Sequence, residues 1–226
     1  MPQIEKPVIA PLASSPDVYE PAEDSEMLAE RVAADARVRD AVLEIGTGSG
    51  VQAITAALKP SVKSVVATDV NREALKLAAE NARANGAASK IVFVESDLFA
   101  RIPKKKFDCV LFNPPYLPTA ENEKIDGVAN AAFDGGGARG RRVTQRFLMD
   151  VKKFLKPNGV VLLVQSSLND YGKTLREFAR LGFKAEVVAS RRFFFEEIVV
   201  IKAVLKTGKK LKPLRQRRRV LKARTR

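Results

Sequence analysis

The chain has 226 residues, 46% of them hydrophobic, with 40 Lys and Arg against 26 Asp and Glu, a formal charge of +14. It contains no His, no Trp and one cysteine, Cys109, which excludes a Ser-His-Asp triad, a histidine base, a Cys/His zinc site and an internal disulfide within these residues. Residues 206–226 hold eleven basic side chains and no acid, so the rest of the chain carries only +3 and the basicity belongs to a tail.

The first sixteen residues are broken by Pro2, Pro7, Pro11 and Pro16 with Glu5 between them, and read as an extension, neither signal nor anchor. No apolar run approaches the ~18 residues of a membrane span. A lone cysteine suits a reducing setting, and the cytoplasm is the expected location. One domain is expected over residues 17–205, followed by the tail at 206–226.

A first helix is predicted over about 22–37, with Pro21 near its first turn and acids at Glu23 and Asp24. The Val- and Ile-rich runs 41–45, 64–68, 91–95, 107–112, 159–165, 183–188 and 198–205 read as seven strands. Helical patterns separate most of them. Asn71 with Glu73 opens one helix and Asn85-Gly86 stops it. Val143, Phe147, Leu148, Val151 and Leu155 recur at helical spacing until Lys156-Pro157-Asn158-Gly159, and Asp170 opens a helix that Leu181-Gly182 closes. The last two strands are too close together for a crossover helix, so they should form an antiparallel hairpin. The expected fold is α/β: a seven-stranded mixed sheet with helices on both faces.

Glu44-Ile45-Gly46-Thr47-Gly48-Ser49-Gly50 follows the first strand and leads into Val51, Ile54 and Leu58 at helical spacing. Its G-x-G-x-G spacing differs from the G-x-G-x-x-G of dinucleotide enzymes, which weighs against NAD. Asp69 ends the second strand about 20 residues on, where an acid in a doubly wound fold reaches ribose hydroxyls. Asp97, with the Leu98 N–H, follows the third strand and is placed to address an adenine amino group. Either acid alone would pass for a helix cap or a solvated loop residue; three features at successive strand ends point to a ligand crevice.

The fourth strand ends in Asn113-Pro114-Pro115-Tyr116. Consecutive prolines stiffen the backbone and remove two N–H donors, leaving carbonyls to accept. The Asn113 amide oxygen beside the Pro114 carbonyl can take both hydrogens of a planar NH2 group, directing the nitrogen lone pair at an electrophile; Tyr116 offers a stacking face. That is catalysis by orientation and needs no histidine.

Together, Glu44 to Gly50, Asp69, Asp97 and Asn113 to Tyr116 resemble a Rossmann-like class I S-adenosylmethionine-dependent methyltransferase of the amino-methylating Asn-Pro-Pro-Tyr kind. The segment Val18-Tyr19-Glu20-Pro21-Ala22-Glu23-Asp24-Ser25 and the Gly-rich stretch Phe133 to Gly140 are similar to those of the HemK-like release-factor glutamine methyltransferases in their short archaeal and eukaryotic form. Ser25 stands where relatives often have Thr, and the basic tail departs from the family pattern. The resemblance implies that Gly46, Gly48 and Gly50 hold the methionine end of the cofactor, near Glu44. It gives Asp69 the ribose, Asp97 with Leu98 the adenine, and Asn113 with the Pro114 carbonyl the target NH2. Glu23, Asp24 and Ser25 either wall the cofactor pocket or simply begin a helix. The implied substrate is the Gln of the Gly-Gly-Gln loop of a class I peptide-release factor. The implied partner is a small zinc-binding activator subunit on the edge strand that starts at Ile91.

An adenine-N6 methyltransferase acting on DNA or RNA poses the same chemical problem, although this chain has no room for a separate base-reading domain. A non-catalytic RNA-binding protein is a third reading. The tail, lacking aromatics, would bind ribosomal or transfer RNA through phosphates, or serve only solubility. Cys109 reads as a core residue, and Phe193-Phe194-Phe195 is expected to pack inward.

Overall fold

In the strand Phe107–Phe112 every side chain from Cys109 onward is buried, and the period of two divides them. Cys109 and Leu111 enter one core cluster, Val110 and Phe112 another. A strand of this kind has to be covered on both faces. The computed structural model describes residues 9–116, 134–137 and 139–206 and shows how that is done.

The elements are α1 (Glu23–Ala34), β1 (Asp40–Ile45), α2 (Val51–Leu58), β2 (Val62–Asp69), α3 (Arg72–Ala84), β3 (Ile91–Glu95), β4 (Phe107–Phe112), α4 (Arg142–Phe154), β5 (Leu155–Ser166), α5 (Tyr171–Arg180), β6 (Phe183–Arg192) and β7 (Glu197–Leu205). The seven strands form one sheet in the order β3-β2-β1-β4-β5-β7-β6. Pairing is parallel from β3 through β5, whereas β7 runs antiparallel to both β5 and β6. This is the expected mixed sheet with its terminal hairpin.

One face is closed by α1, α2 and α3, which bring Leu28, Val32, Ile54 and Ala82 onto Val42, Val65, Cys109 and Leu111. On the other face α4 and α5 bring Phe147, Val151 and Phe178 onto Leu43, Val110, Phe112 and Val161. Phe147 is fully buried and its ring lies 4.8 Å from that of Phe112. Burying a side chain of this size contributes about 2–3 kcal/mol. Cys109 is wholly buried, as expected for a core residue, and burial pushes its thiol well above the usual range.

Local signals explain most boundaries. The Asn71 side chain accepts the Glu73 N–H at 2.9 Å to open α3, and Asp170 accepts the Lys173 N–H at 2.9 Å to open α5. Two expectations need correction. The helix of residues 142–154 stops one residue before Leu155, because Leu155 is pulled into the sheet opposite Phe107; Val160 faces Cys109, and residues 156–159 bulge outward with Asn158 at φ +61°. Phe193-Phe194-Phe195 does not pack inward. It forms the β6–β7 turn, closed by the Phe193 N–H on the Glu196 carbonyl at 2.8 Å, with Phe194 93% and Phe195 86% exposed. Among the described residues no helix is long and apolar enough to cross a membrane.

Candidate active site

Strands β1, β2 and β4 run parallel, so their carboxyl ends deliver Glu44, Asp69 and Asn113 to one edge of the sheet. The glycine loop after β1 is tied down by its backbone: the Thr47 N–H donates to the Thr68 carbonyl at 2.8 Å and the Gly48 N–H to Asp69 Oδ2 at 3.0 Å. Gly48 has φ +53° with open space where a side chain would stand, which leaves the loop backbone bare toward a crevice of about 460 Å³.

That crevice is lined by Glu44, Gly46, Gly48, Asp69, Asp97, Leu98, Asn113 and Pro115, so one space gathers residues from four strand ends. Gly50, Pro114 and Tyr116 stand off its wall. Gly50, at φ +92°, serves packing: a Cβ there would lie 3.0 Å from that of Ala78, so its absence lets the start of α2 touch α3. Asp134 lines the crevice from the Gly-rich stretch, and Gly135 lies so near the Gly140 carbonyl that no side chain fits. Phe133 and Ala138 fall outside the described residues.

The carboxyls differ sharply. Glu44 is fully buried and takes a hydrogen bond from Thr47 Oγ1 at 2.6 Å; desolvation pushes its pKa up to about 8. Asp69 is also raised by burial, an effect opposed by the N–H groups of Asn71, Gly48 and Val70. Asp97 sits at the mouth, where it pairs with Arg146 at 2.7 Å. Both side chains are about half exposed, so the pair contributes little and yields easily to a ligand. Among the described residues no group of three or more Cys, Asp and Glu side chains is placed to hold a metal ion.

Asn113 is held from behind. Its Nδ2 donates to Asp24 Oδ2 at 3.1 Å and Ser25 Oγ at 3.3 Å. A carboxylate only accepts, so Asp24 compels the amide nitrogen to face it and turns Oδ1 the other way. Asn113 Oδ1 is buried and has no hydrogen-bond partner among the described residues. Asp24 is in turn fixed by Tyr19 Oη at 3.0 Å, the Ser25 N–H at 2.6 Å and Tyr116 Oη at 3.4 Å. Burial and the Asp24 charge raise the pKa of both tyrosines, so they remain neutral donors. Tyr116 thus presents its hydroxyl to Asp24, and Asn169 Nδ2 clamps its carbonyl at 2.6 Å.

Asp24 therefore does more than begin a helix: α1 is capped by Ala22 without a side-chain bond, and the acid of its first turn, only 2% exposed, points at Asn113. Gln52 and Arg146 were not legible as site residues. Gln52 is buried, lines the crevice and donates from Nε2 to the Ser25 carbonyl at 2.9 Å, while its Oε1 has no partner among the described residues. Its one signal was a polar residue in the otherwise apolar first turn of α2.

Comparison with known proteins places this geometry. The family model "Methyltransferase small domain" matches residues 20–128. With the seven-stranded sheet and its terminal hairpin, that match defines a class I methyltransferase. A Methanocaldococcus jannaschii protein carrying the provisional name protein N5-glutamine methyltransferase is 48% identical over 188 residues, covering 83% of this chain and 92% of that protein. The Homo sapiens methyltransferase HEMK2 is 34% identical over 192 residues, covering 82% of this chain and 89% of its own. The E. cuniculi Mtq2–Trm112 complex, described as responsible for the methylation of the translation termination factor eRF1, matches with a TM-score of 0.61 at 28% identity, covering 84% of this chain and 99% of that one. The chain belongs to the HemK-like family of protein glutamine N5-methyltransferases.

Proposed function

We propose that this enzyme transfers a methyl group from S-adenosylmethionine to the side-chain amide nitrogen of the glutamine in the Gly-Gly-Gln motif of a class I peptide-release factor. The observation that carries this reading is the buried, unpartnered Oδ1 of Asn113 at the crevice. A buried acceptor left without a donor costs about 1–3 kcal/mol, which a substrate N–H recovers. The relatives support a protein amide as that donor, and the E. cuniculi protein is tied by its description to a termination factor.

The crevice also fits the cofactor. Two carboxyls with raised pKa, Glu44 and Asp69, and the free Gln52 Oε1 all gain from a ligand bearing ammonium and sulfonium charge. The cofactor supplies an electrophilic methyl group on sulfur. Gly46, Gly48 and Glu44 would hold its methionine end, Asp69 its ribose, and Asp97 with the Leu98 N–H its adenine, displacing Arg146. Asn113 Oδ1 and the Pro114 carbonyl take the two hydrogens of the target NH2 and point its lone pair at that methyl. Transfer would break the sulfur–methyl bond as the N–C bond forms, leaving a neutral thioether, and the nitrogen would lose one of the two N–H protons to solvent. Asp24 keeps Asn113 from turning its own NH2 toward the substrate.

Strand β3 is one of the two edges of the described sheet, β6 being the other, and Val92 on it is 60% exposed. A small activator subunit would add a strand there. The tail beyond Lys206 lies outside the described residues; its charge suits RNA or ribosome contact in the cytoplasm. The test offers methyl-labelled S-adenosylmethionine with a release factor, its Gln-to-Ala variant, DNA and RNA side by side. Label is expected on the unaltered factor alone; label on nucleic acid would replace this reading with adenine methylation.

A further inference from the structure

The exposed Phe194-Phe195 tip belongs to neither core cluster of the described residues. The two residues form the centre of the β6–β7 turn, whose closing hydrogen bond is made by backbone groups of Phe193 and Glu196 and asks for no aromatic side chain. Their rings lie 4.6 Å apart edge to face, packed on each other and not on the core. Left in water, the pair gains none of the roughly 1.5–3 kcal/mol that a buried phenylalanine contributes.

The tip stands on the catalytic edge of the sheet. Ile198 faces Ser166 at the end of β5, Leu163 of β5 faces Phe112, and Asn113 follows Phe112. Strand spacings put the tip roughly 20 Å from Asn113, beyond the reach of a cofactor or a glutamine side chain and within the footprint of a folded protein. Hydrogen bonds join the two places: Ser166 Oγ donates to Glu196 at 2.5 Å, the Glu197 N–H donates to Ser167 Oγ at 3.0 Å, and Asn169 holds the Tyr116 carbonyl. Leu168, 43% exposed, lies on this bridge, its N–H donating to Ser166 Oγ at 3.1 Å.

Charge selects the occupant. Arg191 and Arg192 before the tip are balanced by Glu196 and Glu197 after it, so the turn offers no net positive field for a phosphate backbone or an anionic membrane. We propose that Phe194 and Phe195 are a docking knob that inserts into an apolar pocket on the protein presenting the target glutamine. This inference rests on the protein-amide reading above.

The test uses the full-length enzyme carrying Phe194→Asn with Phe195→Gly, a pair favoured in tight hairpin turns, and the milder Phe194→Ser alone. With intact release factor, the double variant should raise KM about tenfold or more and the single variant less, with kcat and cofactor affinity by calorimetry unchanged. An unchanged KM in both would overturn the proposal, as would parallel losses of kcat and cofactor affinity, which indicate a structural role. Loss of binding to RNA or to phosphatidylglycerol vesicles at constant KM would reassign the tip and overturn it too. If the unaltered enzyme leaves the release factor unmethylated, the functional reading itself fails and the knob falls with it.

Discussion

Asn113 is useful because its neighbours dictate which end of its amide is free. Replacing Asp24 with Asn removes the acceptor-only partner, so the Asn113 amide can turn over. Single-turnover methyl transfer should fall about a hundredfold while cofactor affinity by calorimetry stays put, the signature of lost orientation. Equal transfer rates would remove Asp24 from the machinery. Glu44 supplies a second prediction. Its folded pKa of about 8 lies above its ordinary 4.5, so the ligand-free fold prefers the protonated carboxyl. Stability from this group is present below about pH 4.5 and is lost as pH rises toward 8. Denaturant midpoints of Glu44→Gln across that window should show a flatter pH dependence than the parent enzyme; parallel curves would show that Glu44 is not the titrating group.

At the scale of elements, the glycine loop both lines the crevice and forms a packing joint. Gly50→Ala forces a side chain into the left-handed region and against Ala78, which should cost about 1–3 kcal/mol and loosen the α2–α3 packing. A melting temperature unchanged by that substitution would mean that the joint has slack. Most elements were legible because their ends carry capping chemistry and their strands are continuous apolar runs. Two segments were not. Leu155 fits a helix by spacing but is claimed by the sheet, and three phenylalanines that read as core form an exposed turn. Hydrophobicity states a preference for burial; pairing register decides whether burial is on offer.

For the whole molecule, the charge of +14 separates into a nearly neutral body and a basic arm. Truncation after Leu205 should leave methylation of a free protein substrate intact. RNA binding should weaken, and its salt slope should shrink by about 0.7 for each phosphate that the arm no longer neutralises. A matching loss of methylation would make the arm part of the catalytic apparatus. The sequence by itself determined the α/β class, the strand ends that carry Glu44, Asp69, Asp97 and Asn113, and the Asn-Pro-Pro-Tyr motif proposed to hold the target amide, because each is written in a contiguous run. Only the tertiary structure decided that Asp24 orients Asn113 from 89 positions away, that Gln52 keeps an acceptor free, and that the Phe194-Phe195 tip shares an edge with the site. Those juxtapositions arise from strand order and crossover packing, which bring together side chains that no local pattern relates.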